Sequence, residues 1–382
     1  MVYTGEGEIL FKNQLYRGYI ELDPENEEIR VKIPQDREIS DYFSILQDSS
    51  IFEDDYSIEN FSCNLPNGKI FTDEIQYLLL RNLNPGSLSV FDSTLVRSFS
   101  LAPKNIGITT LSFIPQKYIL KFEFESQDII KDNSELIFYN HKIKKLTSFK
   151  LGRKILSVNG DNNYLVINSK NNLLKYRNDL ETAISLLQGG RCVYRTGFFN
   201  NELELSFNRL DKKPKPYGLI YLDEKNISEF FTKYFTFIKS LKQNEKNKIE
   251  RFLNYLLDSC NQNIFLENRI INLMIALEII DTSKTLNKNT LSKILNISKD
   301  HADLIKRVRN KLIHEGKSLK ESIYLSIHEI KSNVTNFKAP FNKKIKREAP
   351  RKFYFWVLTK MYQYLLKNIG MSNLHIEYDK YS

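Results

Sequence analysis

Three side chains with complementary chemistry lie within six consecutive residues in the last third of the chain. Arg309 carries a permanent positive charge, Asn310 a polar amide and His314 an imidazole. Cleavage of RNA by its own 2′-hydroxyl, without a metal, needs a general base, a general acid and a cation that offsets charge on the phosphorane. An arginine fork binds phosphate oxygens in pairs, and histidines exchange protons near neutral pH. The three residues therefore predict a metal-independent RNA-cleaving site.

A helix over residues 299–315 is predicted to carry this motif. Ser298 suits the N-cap position, and Gly316 suits the position just past the helix end. At about 100° per residue, one face collects the side chains that we assign to the core, namely His301, Leu304, Ile305, Val308 and Leu312. The three motif residues fall on the opposite side, spread over about 140°.

Ile313 is an apolar residue in the middle of this otherwise polar face. An apolar side chain in that place predicts that a second surface packs here, and the simplest such surface is another copy of the chain. One histidine does not easily serve as both acid and base. A symmetric dimer that brings two copies of His314 to one cleft is therefore expected, formed through the helical domain.

Positive charge is concentrated in the C-terminal part of the chain. Residues 231–382 hold 28 Lys and Arg against 14 Asp and Glu, a net charge of +14, whereas residues 1–230 hold 28 against 32, a net charge of −4. Compositional bias would affect both parts alike. The distribution therefore predicts that the C-terminal part meets a polyanion such as RNA.

Hydrophobic periodicity divides the chain into two predicted domains and an α+β fold. Residues 1–225 alternate with period two, as at Ile29, Val31 and Ile33, which predicts an antiparallel β-rich domain. This domain is expected to be sandwich-like or a half-closed barrel, with one helical insertion at 178–187. Residues 226–382 show helical periods and short polar loops, which predict an up-and-down bundle. The predicted helices cover 228–241, 247–260, 265–281, 290–295, 299–315, 319–336 and 350–369.

The motif resembles that of the HEPN ribonucleases: Arg, a polar residue, three further residues and His on a helix of a small bundle, matched here by Arg309, Asn310 and His314. With a β-rich domain in front, the chain looks like the Apea-like branch of that family. The resemblance implies an all-α HEPN-like bundle and cleavage of tRNA or mRNA in anti-phage defence by abortive infection, set off by a phage-derived trigger. The β-rich domain would then sense the trigger or select the substrate.

Two other functions fit the same residues. One is a non-catalytic RNA-binding or regulatory dimer, in which the basic patch holds nucleic acid and nothing is cut. The other is a HEPN toxin controlled by a separate antitoxin, which shares the predicted chemistry and differs in regulation.

Two residues are candidates for supporting the motif. Glu278 is a carboxylate within a mostly apolar helix and needs a partner, which either Arg309 or Arg307 could supply. A solvated polar stripe explains Glu278 equally well. Arg307 is also a candidate because it fits a looser form of the motif, in which four to six residues separate the arginine from the histidine.

A basic run over residues 342–352 is a candidate RNA-binding patch. Its cations are Lys343, Lys344, Lys346, Arg347, Arg351 and Lys352. The neighbouring Phe353 and Trp356 have core spacing at the start of the last predicted helix, so we assign them to packing rather than to base stacking.

The remaining features favour a cytoplasmic protein without a cofactor or metal ion. Cys63, Cys192 and Cys260 are few and far apart, so they form neither a disulfide framework nor a metal-ligand pattern. The N-terminal residues lack the basic and apolar regions of a signal peptide. The best candidate for an apolar span, 270–280, is too short to cross a membrane and contains Glu278.

Overall fold

The computed structural model describes residues 2–11, 14–35, 57–66, 68–83, 107–115, 117, 119–126, 134–139, 148–151, 154–160, 164–207, 224–281, 286–330 and 349–373. Thirteen strands lie among these residues: β1 Tyr3–Phe11, β2 Gln14–Asp23, β3 Glu28–Gln35, β4 Ser57–Leu65, β5 Gly68–Leu83, β6 Gly107–Pro115, β7 Ile119–Ser126, β8 Ser134–Tyr139, β9 Ser148–Leu151, β10 Lys154–Gly160, β11 Tyr164–Ser169, β12 Val193–Phe199 and β13 Glu202–Ser206.

Eight α-helices lie within the same described ranges: α1 Arg177–Gln188, α2 Glu224–Ser240, α3 Gln243–Ser259, α4 Leu266–Ile280, α5 Lys288–Leu295, α6 Lys299–Ile313, α7 Leu319–Glu329 and α8 Ala349–Asn368. The chain is therefore an α+β protein, as predicted. The predicted helical insertion is confirmed as α1, and α2 to α8 match the seven predicted helices to within a few residues. The helix predicted over 319–336 is shorter than predicted, because α7 ends at Glu329 and Ile330 has a non-helical backbone, with a ψ of 81°. Residues 331–336 lie outside the described residues.

One compact unit comprises Met1–Ile137, Lys170–Lys175 and Tyr194–Asp211. Its first six strands pair in a closed antiparallel ring, in which β1 pairs with β2 and β4, β3 with β2 and β6, and β5 with β4 and β6. Ile29, Val31 and Ile33 of β3 all point into the core, as their alternation predicts. Each strand of the ring therefore has neighbours on both sides.

Glycine permits the ring to close where β1 crosses β4. A Cβ atom on Gly5 would lie 1.8 Å from the backbone oxygen of Asn64, and one on Gly7 would lie 2.2 Å from the backbone oxygen of Ser62. These distances leave no room for a side chain, because real Cβ atoms essentially never approach within 3.0 Å of another heavy atom. Glycine at both positions is therefore required by the close approach of the two strands.

The second compact unit comprises Phe138–Ser169, Tyr176–Val193 and Lys212–Ser382. It includes β9, β10 and β11, which pair antiparallel in sequence order, and α2 packs on β9. The rings of Phe149 and Phe231 stack with their centroids 4.1 Å apart, and the hydroxyl of Thr232 donates to the backbone oxygen of Lys150 at 3.1 Å. Three strands and α1 thus join the helices, although they precede residue 226.

Helix α8 contacts α4, α5 and α7 within this unit. Helix α6 contacts α4, α5 and α7 as well. Leu304, Ile305 and Val308 of α6 are fully buried, which confirms the core face predicted for this helix. No helix in the described parts of the chain has both the length and the apolar character that a membrane span requires.

Candidate functional site

The ends of α6 determine where the motif residues stand. The hydroxyl of Ser298 accepts the backbone N–H of His301 at 3.2 Å, so Ser298 is the N-cap that the sequence predicts. The helix ends at Ile313, two residues before the predicted end, and Gly316 turns the chain with a φ of +64°. His314 therefore stands at the C-cap, with its backbone N–H still bonded to the oxygen of Asn310 at 2.9 Å.

Arg309 is held by a carboxylate from another helix. Its Nε donates to Oε1 of Glu278 at 2.6 Å, and its Nη2 contacts the same oxygen. Glu278 lies in the last turn of α4, 31 residues away in the sequence. The Arg309 side chain is 19% exposed and that of Glu278 is 36% exposed, so the pair is only partly screened by solvent. Of the two arginines considered as partners of Glu278, the structure selects Arg309.

The remaining terminal nitrogen of Arg309 contacts the other two motif residues. Its Nη1 donates to Oδ1 of Asn310 at 3.1 Å and lies 2.5 Å from Nε2 of His314. On a regular helix, Arg309 and His314, five residues apart, point about 140° away from each other. The long arginine side chain and the position of His314 at the helix end bring the two groups together.

Hydrogen-bond chemistry assigns the orientation of both partners. A guanidinium has five N–H donors and no acceptor, so Asn310 must turn its oxygen toward Arg309 and His314 must accept through Nε2. The imidazole proton then resides on Nδ1 in this arrangement. Within the described residues, one N–H of Arg309 Nη2 and the Nδ2 amide of Asn310 keep no protein acceptor. These donors suit an anion.

Arg307 lies on a different side of α6. Its Nε donates to Asp303 at 2.7 Å and its Nη1 to Glu329 of α7 at 2.9 Å. Lys311 also donates to Glu329, at 2.7 Å. Hydrogen bonds from Lys311 and Arg307 lower the pKa of Glu329 below its ordinary value. Arg307 therefore joins α6 to α7 and is not brought to Glu278.

The sequence prediction missed this second ion-pair cluster. The spacing of Asp303 and Arg307, four residues apart on one helix, is a signal that could have been used. Nothing in the sequence indicates that Glu329 meets both basic residues, because that contact depends on how α7 crosses α6.

Part of the predicted RNA-binding patch can be located. Lys343, Lys344, Lys346 and Arg347 lie outside the described residues. Arg351 and Lys352 lie in the first turn of α8, and the guanidinium of Arg351 sits 5.7 Å from the ring centre of Phe355. The structure therefore locates two of the six predicted cations, Arg351 and Lys352, at the start of α8.

The aromatic side chains beside that patch pack within the helical part of the chain. Phe353 is buried, as its core assignment predicts. Trp356 and His301 are only half-buried, and they pack against each other with ring centroids 5.2 Å apart. Desolvation by this packing lowers the pKa of His301.

Ile313 is 37% exposed, although it is apolar and adjacent to His314. It is one of three large exposed hydrophobic residues in the helices or helix ends described, together with Phe265 and Tyr324. The packing surface expected beside the motif stays a prediction.

Comparison of the chain with protein-family models, with curated proteins and with solved structures finds no match. The geometry around Arg309 is therefore what supports a function.

Proposed function

We propose that the chain is a metal-independent endoribonuclease of the HEPN type that acts as a homodimer. The observation that carries this proposal is that one guanidinium, that of Arg309, contacts Glu278, Asn310 and His314 together. A cation, an amide and an imidazole that converge in this way can hold a phosphodiester and move its protons.

Arg309 would bind the scissile phosphate and offset the charge that develops on the phosphorane. Glu278 fixes the guanidinium through Nε and Nη2, so little side-chain freedom is left to lose when RNA binds. The uncommitted Nη2 N–H and the amide of Asn310 would donate to phosphate oxygens. Removing a preorganised donor of this kind typically lowers kcat by about 10²–10³-fold.

His314 would exchange the protons. In one copy, Nε2 takes the proton from the 2′-hydroxyl as O2′ attacks phosphorus, which requires Nε2 to leave Arg309 when RNA binds. In the second copy, protonated His314 gives its proton to O5′ as the P–O5′ bond breaks. The products are a 2′,3′-cyclic phosphate and a 5′-hydroxyl. The exposed Ile313 supports a dimer in which the two motifs share one cleft.

The biological setting is proposed from the family resemblance. The helices of the second unit would form the HEPN-like bundle, and the β-rich unit would sense a phage-derived trigger or select the RNA, in the manner of the Apea-like branch. The substrate would be cytoplasmic tRNA or mRNA. Control by a separate antitoxin is a variant of the same proposal.

The test is RNA cleavage by purified protein in the presence of EDTA. We expect products with cyclic phosphate ends, and we expect His314→Ala and Arg309→Ala to abolish cleavage while circular dichroism stays unchanged. Ile313→Glu should convert dimers to monomers in sedimentation and remove cleavage with them. Cleavage that EDTA stops, or that survives in His314→Ala, overturns the proposed mechanism.

A non-catalytic RNA-binding protein is the second candidate. One observation favours it. Arg309 Nη1 uses both of its N–H groups within the chain, one on Oδ1 of Asn310 and one on Nε2 of His314. This candidate predicts salt-sensitive RNA binding that survives His314→Ala, with no cleavage at any pH. Toxicity on expression that disappears with Arg309→Ala would favour the nuclease or toxin.

A further inference from the structure

Helix α6 carries five basic residues, and three of them are committed to carboxylates. Arg309 pairs with Glu278, Arg307 with Asp303 and Glu329, and Lys311 with Glu329. The other two are Lys299 and Lys306, which pair with no carboxylate in the described part of the chain. Their positive charges are therefore available to a ligand.

Lys299 and Lys306 stand in line with the candidate site. At about 100° per residue, Lys299, Lys306 and Asn310 lie within about 40° of one another on α6. Lys299 is exposed, and Lys306 and Asn310 are partly exposed. These three residues form one solvent-facing stripe, about 16 Å long, with Arg309 and His314 on either side of its C-terminal end. We call this the α6 stripe.

The spacing of the α6 stripe matches an extended polyanion. Lys306 precedes Asn310 by four residues, or about 6 Å along the helix axis, which is comparable to the separation of neighbouring phosphates in a nucleic-acid strand. The neighbouring flank of α6 offers no equivalent. Asp303 borders the α6 stripe, about 40° from Lys299, and its carboxylate is bound by Arg307, while Lys311 is neutralised by Glu329. Lys299 and Lys306 have no carboxylate partner among the described residues, and both lie on the N-terminal side of the candidate site. The available positive charge of α6 therefore extends from the site toward the N-terminus of the helix.

We infer that the α6 stripe binds the RNA strand on one side of the scissile phosphate, with Lys306 on the adjacent phosphate and Lys299 further along. This inference rests on the proposed function and adds the course of the substrate. Lys306 is a positioning residue. It contributes charge to substrate binding and takes no part in proton transfer.

The experiment measures binding of a short 2′-O-methyl oligouridylate, which lacks the attacking hydroxyl and stays intact, over a series of salt concentrations. Lys306→Ala should weaken binding several-fold and should reduce the slope of log K against log salt by about 0.7, the value for one phosphate contact on a single strand. Lys306→Arg should restore both, because it keeps the charge.

Lys367→Ala is the matched control. Lys367 is an exposed lysine in the last turn of α8, and it likewise pairs with no carboxylate of a described residue. Its variant should bind with the affinity and salt slope of the parent protein. On cleavable RNA, Lys306→Ala should raise KM and leave kcat unchanged.

Equal affinity and equal slope for Lys306→Ala and Lys367→Ala overturn the inferred course of the RNA, and they do so even if the parent protein cleaves RNA. If Lys306→Ala reduces the slope of log K against log salt but the parent protein cuts no RNA, the α6 stripe is supported and the proposed catalysis is overturned. Absence of any binding by the parent protein overturns the stripe. Matching melting curves confirm that each variant folds.

Discussion

The contact between Glu278 and Arg309 offers the sharpest test of the site, because it joins two helices and can be measured without knowing the substrate. Glu278→Ala removes the only oxygen that Nε of Arg309 reaches among the described residues. A hydrogen bond to a charged group contributes about 1.5–3 kcal/mol when sheltered, whereas an exposed ion pair contributes about 0–1 kcal/mol. With exposures of 19% and 36%, this pair lies between those limits. We expect a loss of about 1–2 kcal/mol in the free energy of unfolding.

The assay uses the single tryptophan of the chain. Trp356 lies on α8 and packs against His301 of α6, so its fluorescence reports unfolding of the helices that carry the motif. A double-mutant cycle of Glu278→Ala and Arg309→Ala in urea isolates the coupling between the two residues. We also expect Glu278→Ala to lower kcat for RNA by about tenfold to a hundredfold, because the guanidinium loses its fixed position.

Asp303→Ala is the matched control. It removes a 2.7 Å ion pair with Arg307 on the same helix, of similar exposure, without touching Arg309. Asp303→Ala should lower the free energy of unfolding by an equal or smaller amount, and it should leave kcat at saturating RNA unchanged. A coupling energy within about 0.3 kcal/mol of zero would refute the role of Glu278 as a structural partner of Arg309. Equal cleavage rates for the two variants would refute its role in positioning.

Three further predictions concern the same unit and the cysteines. Gly316 has a φ of +64°, and a Cβ atom added to it would meet no heavy atom within 4 Å, so Gly316→Ala should cost about 1 kcal/mol of stability through backbone strain alone; an unchanged urea midpoint would contradict this. The pKa of Glu329 is lowered by Lys311 and Arg307, so its contribution to stability is present above the ordinary glutamate pKa of 4.5 and is lost as the pH falls through the lower folded value. Glu329→Gln should therefore be less stable than the parent protein near neutral pH, and this difference should shrink in acid; a constant difference would contradict it. Burial raises the pKa of Cys63 and of Cys260 to about 12, so both thiols should resist alkylation at pH 8 until the protein unfolds, as mass spectrometry of pulse-labelled protein can check.

Much of the local structure could be predicted from the sequence, because it depends on neighbouring residues. Ser298 and Gly316 marked the ends of α6, and the spacing of Leu304, Ile305 and Val308 identified its buried face. Alternation predicted the core side of β3 in the same way. Charge and residue type were enough to nominate Arg309 and His314.

The pairings between distant residues could not be predicted. Glu278 was compatible with two arginines or with solvent, and only the crossing of α4 and α6 selects Arg309. The closure of β1 on β4 depends likewise on strand curvature and on glycine contacts with a strand about 50 residues away.

The sequence by itself determined which residues form α6, which of its faces is buried and which functional groups it carries, since these follow from periods and caps within one or two turns. Tertiary structure alone decided that the guanidinium of Arg309 meets Glu278, and that Arg307 and Lys311 are neutralised by Glu329 while Lys306 is not. The physical reason is that a side chain finds its partner across a helix crossing, and the angle of that crossing is set by the packing of whole helices rather than by any local pattern.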